Sequence, residues 1–219
     1  MSEAPAPFLT SQRALVDRLA ARLARPDRPG ENAFRPLSVA GRVGRTVDEA
    51  RMGGAREGAV LVLMYPKDDA PHIVLTERRA DLRDHAGQVS FPGGRIEPEE
   101  TAAEAALREA SEEVGLTDAV AILGNLSPLW IPPTNYLVFP IVAAAAARPA
   151  FVTAADEVAA LVEAPLAALY DPAARCTIVR RGLDGKPRPV PALRVAGHEI
   201  WGATAMILGE LTALLRDAG

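Results

Sequence analysis

Apolar residues along the chain fall into short runs with two different periods. The runs AVLVLMY at 59–65 and IVLTE at 73–77 are continuous, strand-length and separated by PKDDAP at 66–71, which has turn composition, so together they predict a β-hairpin. AVAIL at 119–123 and LVFPIVAA at 137–144 predict two further strands around the proline-rich loop IPPTNY at 131–136. A second hairpin is expected from 176–181 and 190–195, turning at Asp184-Gly185. Residues 156–170 read as strand or loop passing into a short helix.

Helical spacing governs the rest. Leu15, Val16, Leu19 and Leu23 predict an N-terminal helix with Thr10 as its cap and Pro26 beyond its end. A helix is expected from about Glu99 to Val114, entered through Pro98 and closed by Gly115, and an amphipathic helix from 203 to 216 ends the pattern. The arginine-, glycine- and proline-rich stretch 26–57 predicts a surface connection with only short ordered pieces.

Composition narrows the class. With 219 residues and 49% hydrophobic content, the chain is long enough to bury one substantial core. The longest apolar stretch, 137–146, is broken by proline and ends within about ten residues, where a membrane span needs roughly 20. Glu3 and the charges that follow do not fit a secretory signal, and the lone Cys176 excludes an internal disulfide framework and any CxxC zinc cluster, so a reducing cytoplasm is expected. A net charge of −4 argues against a dedicated nucleic-acid binder, so an anionic small molecule would need local arginines or a metal to hold it.

Chemistry concentrates between residues 93 and 116. At about 100° per residue, Glu109, Glu112 and Glu113 share one arc of a helix, while Ala103, Leu107, Ala110 and Val114 cluster on another suited to burial. Carboxylates at such spacing repel unless a cation intervenes, and a hard divalent ion is the natural partner. Arg108 lies four residues from both Glu104 and Glu112, which predicts an ion pair.

Gly94, Glu100, Arg108, Glu109, Glu112, Glu113, Gly115 and Leu116 stand in the register G-x5-E-x7-R-E-U-x-E-E-x-G-U, which resembles the signature box of the Nudix hydrolases, with Ala110 in the first apolar slot. Seven fixed identities at average frequencies give a chance match on the order of 10⁻⁸ per starting position. The resemblance implies an α/β/α sandwich with a mixed central sheet, and hydrolysis of a diphosphate with Mg²⁺ or Mn²⁺ held by Glu109, Glu112 and Glu113. It gives Arg108 the role of orienting the glutamates. Glu100 is left as a cap, an outer ligand or the base, and Glu157 is a candidate base outside the box.

The preceding stretch, 74–94, is similar to the additional signature of the coenzyme A pyrophosphatase branch through Leu75, Thr76, Arg78, Arg83, Gly87, Phe91, Pro92, Gly93 and Gly94. Val74 replaces a leucine, and Arg79 stands where the branch has a small residue. This likeness implies coenzyme A as substrate, with 3′,5′-ADP and 4′-phosphopantetheine or its acyl form as products. Arg78 and Arg83 would grip phosphate, and Gly87, Phe91, Gly93 and Gly94 would line the substrate. His85 could hydrogen-bond a phosphate, although a lone loop histidine is more often structural, and Trp201 is a core or rim aromatic. Other dinucleotides such as NADH or ADP-ribose, and a nucleotide sensor without turnover, are the alternatives. The expected layout is a helix and linker extension over 1–57, covering the sheet or mediating homodimer contacts, and the catalytic domain over 58–219 with a C-terminal hairpin and helix. No nucleic-acid or membrane partner is expected.

Overall fold

A computed structural model describes residues 7–39, 45–81, 87–182 and 185–217, with side chains from Gln12 onward. In chain order the elements are α1 (Pro7–Leu23), α2 (Gly30–Phe34), α3 (Val47–Met52), β1 (Arg56–Lys67), β2 (Ala70–Arg78), β3 (Val89–Ser90), β4 (Gly93–Arg95), α4 (Ala102–Val114), β5 (Ala121–Asn125), β6 (Leu129–Ile131), β7 (Tyr136–Ala144), β8 (Val158–Pro165), β9 (Arg175–Arg181), β10 (Pro187–Val195), β11 (His198–Trp201) and α5 (Gly202–Asp217). The predicted hairpin of β1 and β2 is present, and β9 pairs antiparallel with β10, while Asp184 of their predicted turn lies outside the described residues.

The main sheet has eight strands, with β3-β2-β1-β7-β5 as its path and β4, β6 and β8 joining β1, β7 and β2. Only β1 and β7 run parallel among these pairs, so the sheet is mixed. Strands buried on both faces read as unbroken apolar runs, and β1 is of this kind: Leu61, Val62, Leu63 and Tyr65 are all wholly buried. Alternate residues feed two cores. Val62, Met64, Ile73 and Leu75 pack with α5 and α1, whereas Ala59, Leu61, Leu63, Val74 and Ile141 pack under α4. The α/β/α arrangement expected of the sequence is therefore present.

Helix α4 lies close to the sheet because its inner face is built of small residues. Ala105, Ala106 and Ala110 are fully buried beside Val114, while Ala103 and Leu107 are only half-buried. The buried stripe is thus rotated from the one predicted. The helix also starts later than Glu99: Thr101 is the cap, accepting from the Glu104 amide while the Glu104 carboxylate accepts from the Thr101 amide at 2.8 Å. This reciprocal box satisfies two orphan donors at once. At the other end Gly115 adopts φ +65°, the left-handed conformation that favours glycine, and its amide bonds back to Ser111.

Helix α1 begins at Pro7, so Thr10 falls inside it and not at its cap. Within the linker, α2 docks on α5 at Gly209, where a Cβ would press on Leu37 and the Ala33 carbonyl. Glu210 of α5 fixes that junction by accepting from the amides of Gly30 and Ser127 and from the Ser127 hydroxyl at 2.7 Å. No helix among the described residues is long and apolar enough to cross a membrane.

Candidate active site

The site is built where α4 crosses the β1–β4 ladder. Gly94 of β4 pairs with Ala59, and a Cβ on Gly94 would overlap the Glu109 carboxylate, at 2.6 Å from Oε2. Only glycine lets the strand lie this close to an acidic helix. Beside it the Gly93 amide donates to Glu113 Oε2 over 3.4 Å. The two glycines predicted to line the substrate therefore face two of the three predicted ligands.

Arg108 organises the acids. Its Nε and Nη2 donate to the two Glu100 carboxylate oxygens at 2.9 and 3.1 Å, its Nη1 to Glu109 at 2.8 Å and to Glu112 at 3.2 Å, and its Nη2 also to the Arg95 carbonyl. The predicted pair with Glu104 does not form, because that carboxylate is engaged at the Thr101 cap. Glu100 takes its place, since the chain folds back over the start of α4 and turns Glu100 toward Arg108. The hydrogen bond from Arg108, with the Glu97 amide, holds the Glu100 carboxyl below its ordinary value. Glu100 therefore accepts three hydrogen bonds, two of them from Arg108.

The electrostatics of the inner acids run the other way. Burial pushes the Glu109 carboxyl up against the pull of Arg108. Burial also pushes Glu113 up to about 7, reinforced by the charges of Glu109 and Glu157, while the Gly93 amide and Arg78 oppose the rise. Glu112 is 60% exposed, and Arg108 Nη1 bridges it to Glu109. Among the described residues no group of three His, Cys, Asp or Glu side chains is drawn together, and Arg108 lies between two of the three predicted ligands. The donor chemistry nevertheless fits a hard cation, because oxygen donors here carry more negative charge than Arg108 offsets.

Glu157, predicted from outside the box, lies near these acids and pairs with Arg78 Nη1 at 3.3 Å. Gly87 adopts φ +65°, and its amide bonds the Arg78 carbonyl. Phe91 is corrected: at 2% exposure it belongs to the core between the sheet and α5 and has no surface to offer a ligand. Arg83 and His85 lie outside the described residues. Trp201 packs at the rim of a small cluster with Ile178, Val190 and Ala192, and Arg180 stacks on it. Sequence reasoning missed the contacts of Arg79, which bonds the Ala155 carbonyl at 2.7 Å; its departure from the small residue of the branch signature was the available signal.

Carboxylates gathered on a helix against a glycine strand suit a hard cation, and such a cation suits phosphate chemistry. The NUDIX domain family model matches residues 55–176, and the chain belongs to the Nudix family. It is similar to proteins named "Uncharacterized Nudix hydrolase NudL" from Pectobacterium atrosepticum, 45% identical across 74% of this chain and 84% of the relative, and from Escherichia coli K12, 37% identical across 71% and 81%. Among solved structures, a MutT/nudix family protein from Enterococcus faecalis shares the fold with TM-score 0.52 at 12% identity, over 98% of this chain and 76% of that one. The protein is a hydrolase of small-molecule diphosphates.

Proposed function

We propose that the protein hydrolyses the diphosphate of coenzyme A, and of its acyl forms, to 3′,5′-ADP and 4′-phosphopantetheine or acyl-phosphopantetheine. The observation that carries the diphosphate chemistry is the contact of Gly94 and Gly93 with the carboxylates of Glu109 and Glu113. The branch signature that contains those glycines carries the choice of coenzyme A. Glu109, Glu112 and Glu113 would hold Mg²⁺ or Mn²⁺, which when bound neutralises phosphate charge and acidifies water.

The chain's own groups do the rest. Gly93 and Gly94 let the Glu113 and Glu109 carboxylates come up against the β4 backbone. Arg78 offers a guanidinium to a phosphate oxygen, and Arg83 is assigned the same role. Arg108, held by Glu100, keeps Glu109 and Glu112 in place through its hydrogen bonds. Glu157 takes the proton of the attacking water at its carboxylate, supported by its position beside Arg78 and Glu113.

Turnover of coenzyme A, dephospho-coenzyme A, NADH and ADP-ribose, each with and without EDTA, tests this. Coenzyme A is expected to lead the panel by at least about tenfold in kcat/KM, a difference of about 1.4 kcal/mol, with activity lost in EDTA. Equal turnover of every diphosphate overturns the assignment of coenzyme A, and binding without product overturns catalysis.

A further inference from the structure

Glu157 sits in the segment between β7 and β8 that has no regular structure where it passes the end of α4, yet it is fastened on two sides. On the helix side, the Val152 and Ala154 amides donate to the Val114 and Glu113 carbonyls, both at 2.9 Å. The second of these ties the segment to the backbone of a proposed metal ligand. On the sheet side the fastening comes from Arg79. Its amide donates to the Glu157 carbonyl at 3.0 Å and its Nη1 to the Ala155 carbonyl at 2.7 Å. Its Nε and Nη2 grip both oxygens of Asp81 at 2.9 and 2.6 Å, which fixes the guanidinium plane.

A β-bulge sets up this contact. Along β2 and β8, Glu77 faces Ala160 but Arg78 faces Val158, so one residue of β8 is left over. Without that slip Arg79 would stand opposite Val158; with it, Arg79 meets Glu157. Bulges re-aim side chains near active sites, and a one-residue shift changes which residue each later position faces.

We propose that Arg79 is a positioning residue for the hydrolysis, clamping segment 154–157 to the end of β2 and thereby holding Glu157 beside Arg78 and the Glu109–Glu113 pair. The proposal rests on Glu157 being the base. The small side chain that the branch signature has at this position cannot span to the Ala155 carbonyl. Arginine suits the task because one planar fork serves two partners together, whereas lysine presents a single point of donation.

The test uses the full chain, with the panel diphosphate it turns over best, and four variants: Arg79→Ala, Arg79→Lys, Glu157→Gln and the double variant Arg79→Ala/Glu157→Gln. Amide hydrogen exchange over residues 152–158 is read alongside kinetics and melting temperature. Arg79→Ala is expected to speed exchange there by at least about tenfold and to lower kcat about 10- to 100-fold with KM within about twofold, because small displacements of a catalytic group cost rates of this size. Arg79→Lys should recover part of kcat, and the double variant should be no slower than Glu157→Gln alone. Unchanged exchange at 152–158, or losses that multiply in the double variant, overturns the clamp. Wild-type kcat in Glu157→Gln overturns the base and with it the catalytic part of the proposal; exchange does not depend on turnover, so that failure is told apart from a failure of the clamp itself.

Discussion

Glu113 and Glu163 both serve the α4 side of the central sheet, and burial opposes the charge of each, yet they end on opposite sides of the ordinary carboxylate value. Glu163, opposite Val74 on β8, receives the Tyr65 hydroxyl at 2.9 Å, Lys67 at 2.9 Å and a bidentate Arg148 at 2.7 and 3.1 Å. Burial raises its carboxyl, but the bonds from Arg148, Lys67 and Tyr65 together outweigh it and hold it down to about 2. Glu113 has one long amide bond and two acidic neighbours, and rises to about 7. The first is a completed brace joining β1, β8 and the Arg148 loop. The second is short of positive charge, which is how a folded protein can store affinity for a cation or for a phosphate that brings one.

The largest effect that would break this contrast is on turnover. Glu113→Gln is expected to lower kcat by about 10³-fold or more, roughly 4 kcal/mol, while the melting temperature at pH 8 without metal stays level or rises, because a poorly compensated buried charge is gone. Kinetics and calorimetry on one preparation check both halves; a large loss of stability would show Glu113 to be a brace like Glu163. The mirror experiment is Glu163→Gln, which should cost on the order of 2 kcal/mol in urea unfolding and leave kcat within about twofold.

The pH dependence of Glu163 has a definite sign. Its folded carboxyl lies at about 2 against an ordinary 4.5, so its contribution is complete above about 4.5 and is lost as pH falls toward 2. Wild type is expected to lose on the order of 2 to 3 kcal/mol more than Glu163→Gln across that window. Unfolding free energies measured from pH 6 down to 2 would show the two curves converging; parallel curves would remove Glu163 from the account.

Much of this architecture can be read in the residues because local pattern and tertiary role agree there. The hairpin of β1 and β2 follows from two apolar runs around a turn, and Gly115 marks the end of α4 as its left-handed φ requires. What could not be read depends on distant partners. Strands β3 and β4 are two and three residues long and owe their form to β2 and β1. Glu100 reaches Arg108 across eight residues by a turn of the chain, which helical spacing cannot express. The buried stripe of α4 is set by how the sheet receives it, so Ala105 and Ala106 displaced Ala103 and Leu107. The Thr101–Glu104 box, by contrast, was visible in the sequence as T-x-x-E and outweighs Pro98 as the start signal.

A smaller effect sharpens the contact of strand and acid. Gly94→Ala places a methyl group where the Glu109 carboxylate lies, and the side chain has to move. Turnover should fall about 10- to 100-fold, or about 1.4 to 2.7 kcal/mol, because Glu109 is displaced from its neighbours. Gly58→Ala is a harsher change at the same ladder, since its Cβ would stand 2.7 Å from the Gly94 carbonyl, which is backbone and cannot swing aside. Losses in kcat from Gly94→Ala with unchanged melting temperature would identify the strand as part of the site.

The smallest expected effect separates the stability of α4 from its chemistry. Thr101 sits about two turns before Arg108, and its hydroxyl accepts from the Glu104 amide while the Glu104 carboxylate binds back. Thr101→Ala removes one capping acceptor and should cost about 1 kcal/mol in urea unfolding. Arg108 is held by Glu100 and the Arg95 carbonyl, neither of which depends on that cap, so kcat should stay within about twofold. If kcat instead fell in proportion to stability, the carboxylates would be set by the integrity of the whole helix and not by Arg108, and the contrast with Glu163 would shrink to one of degree.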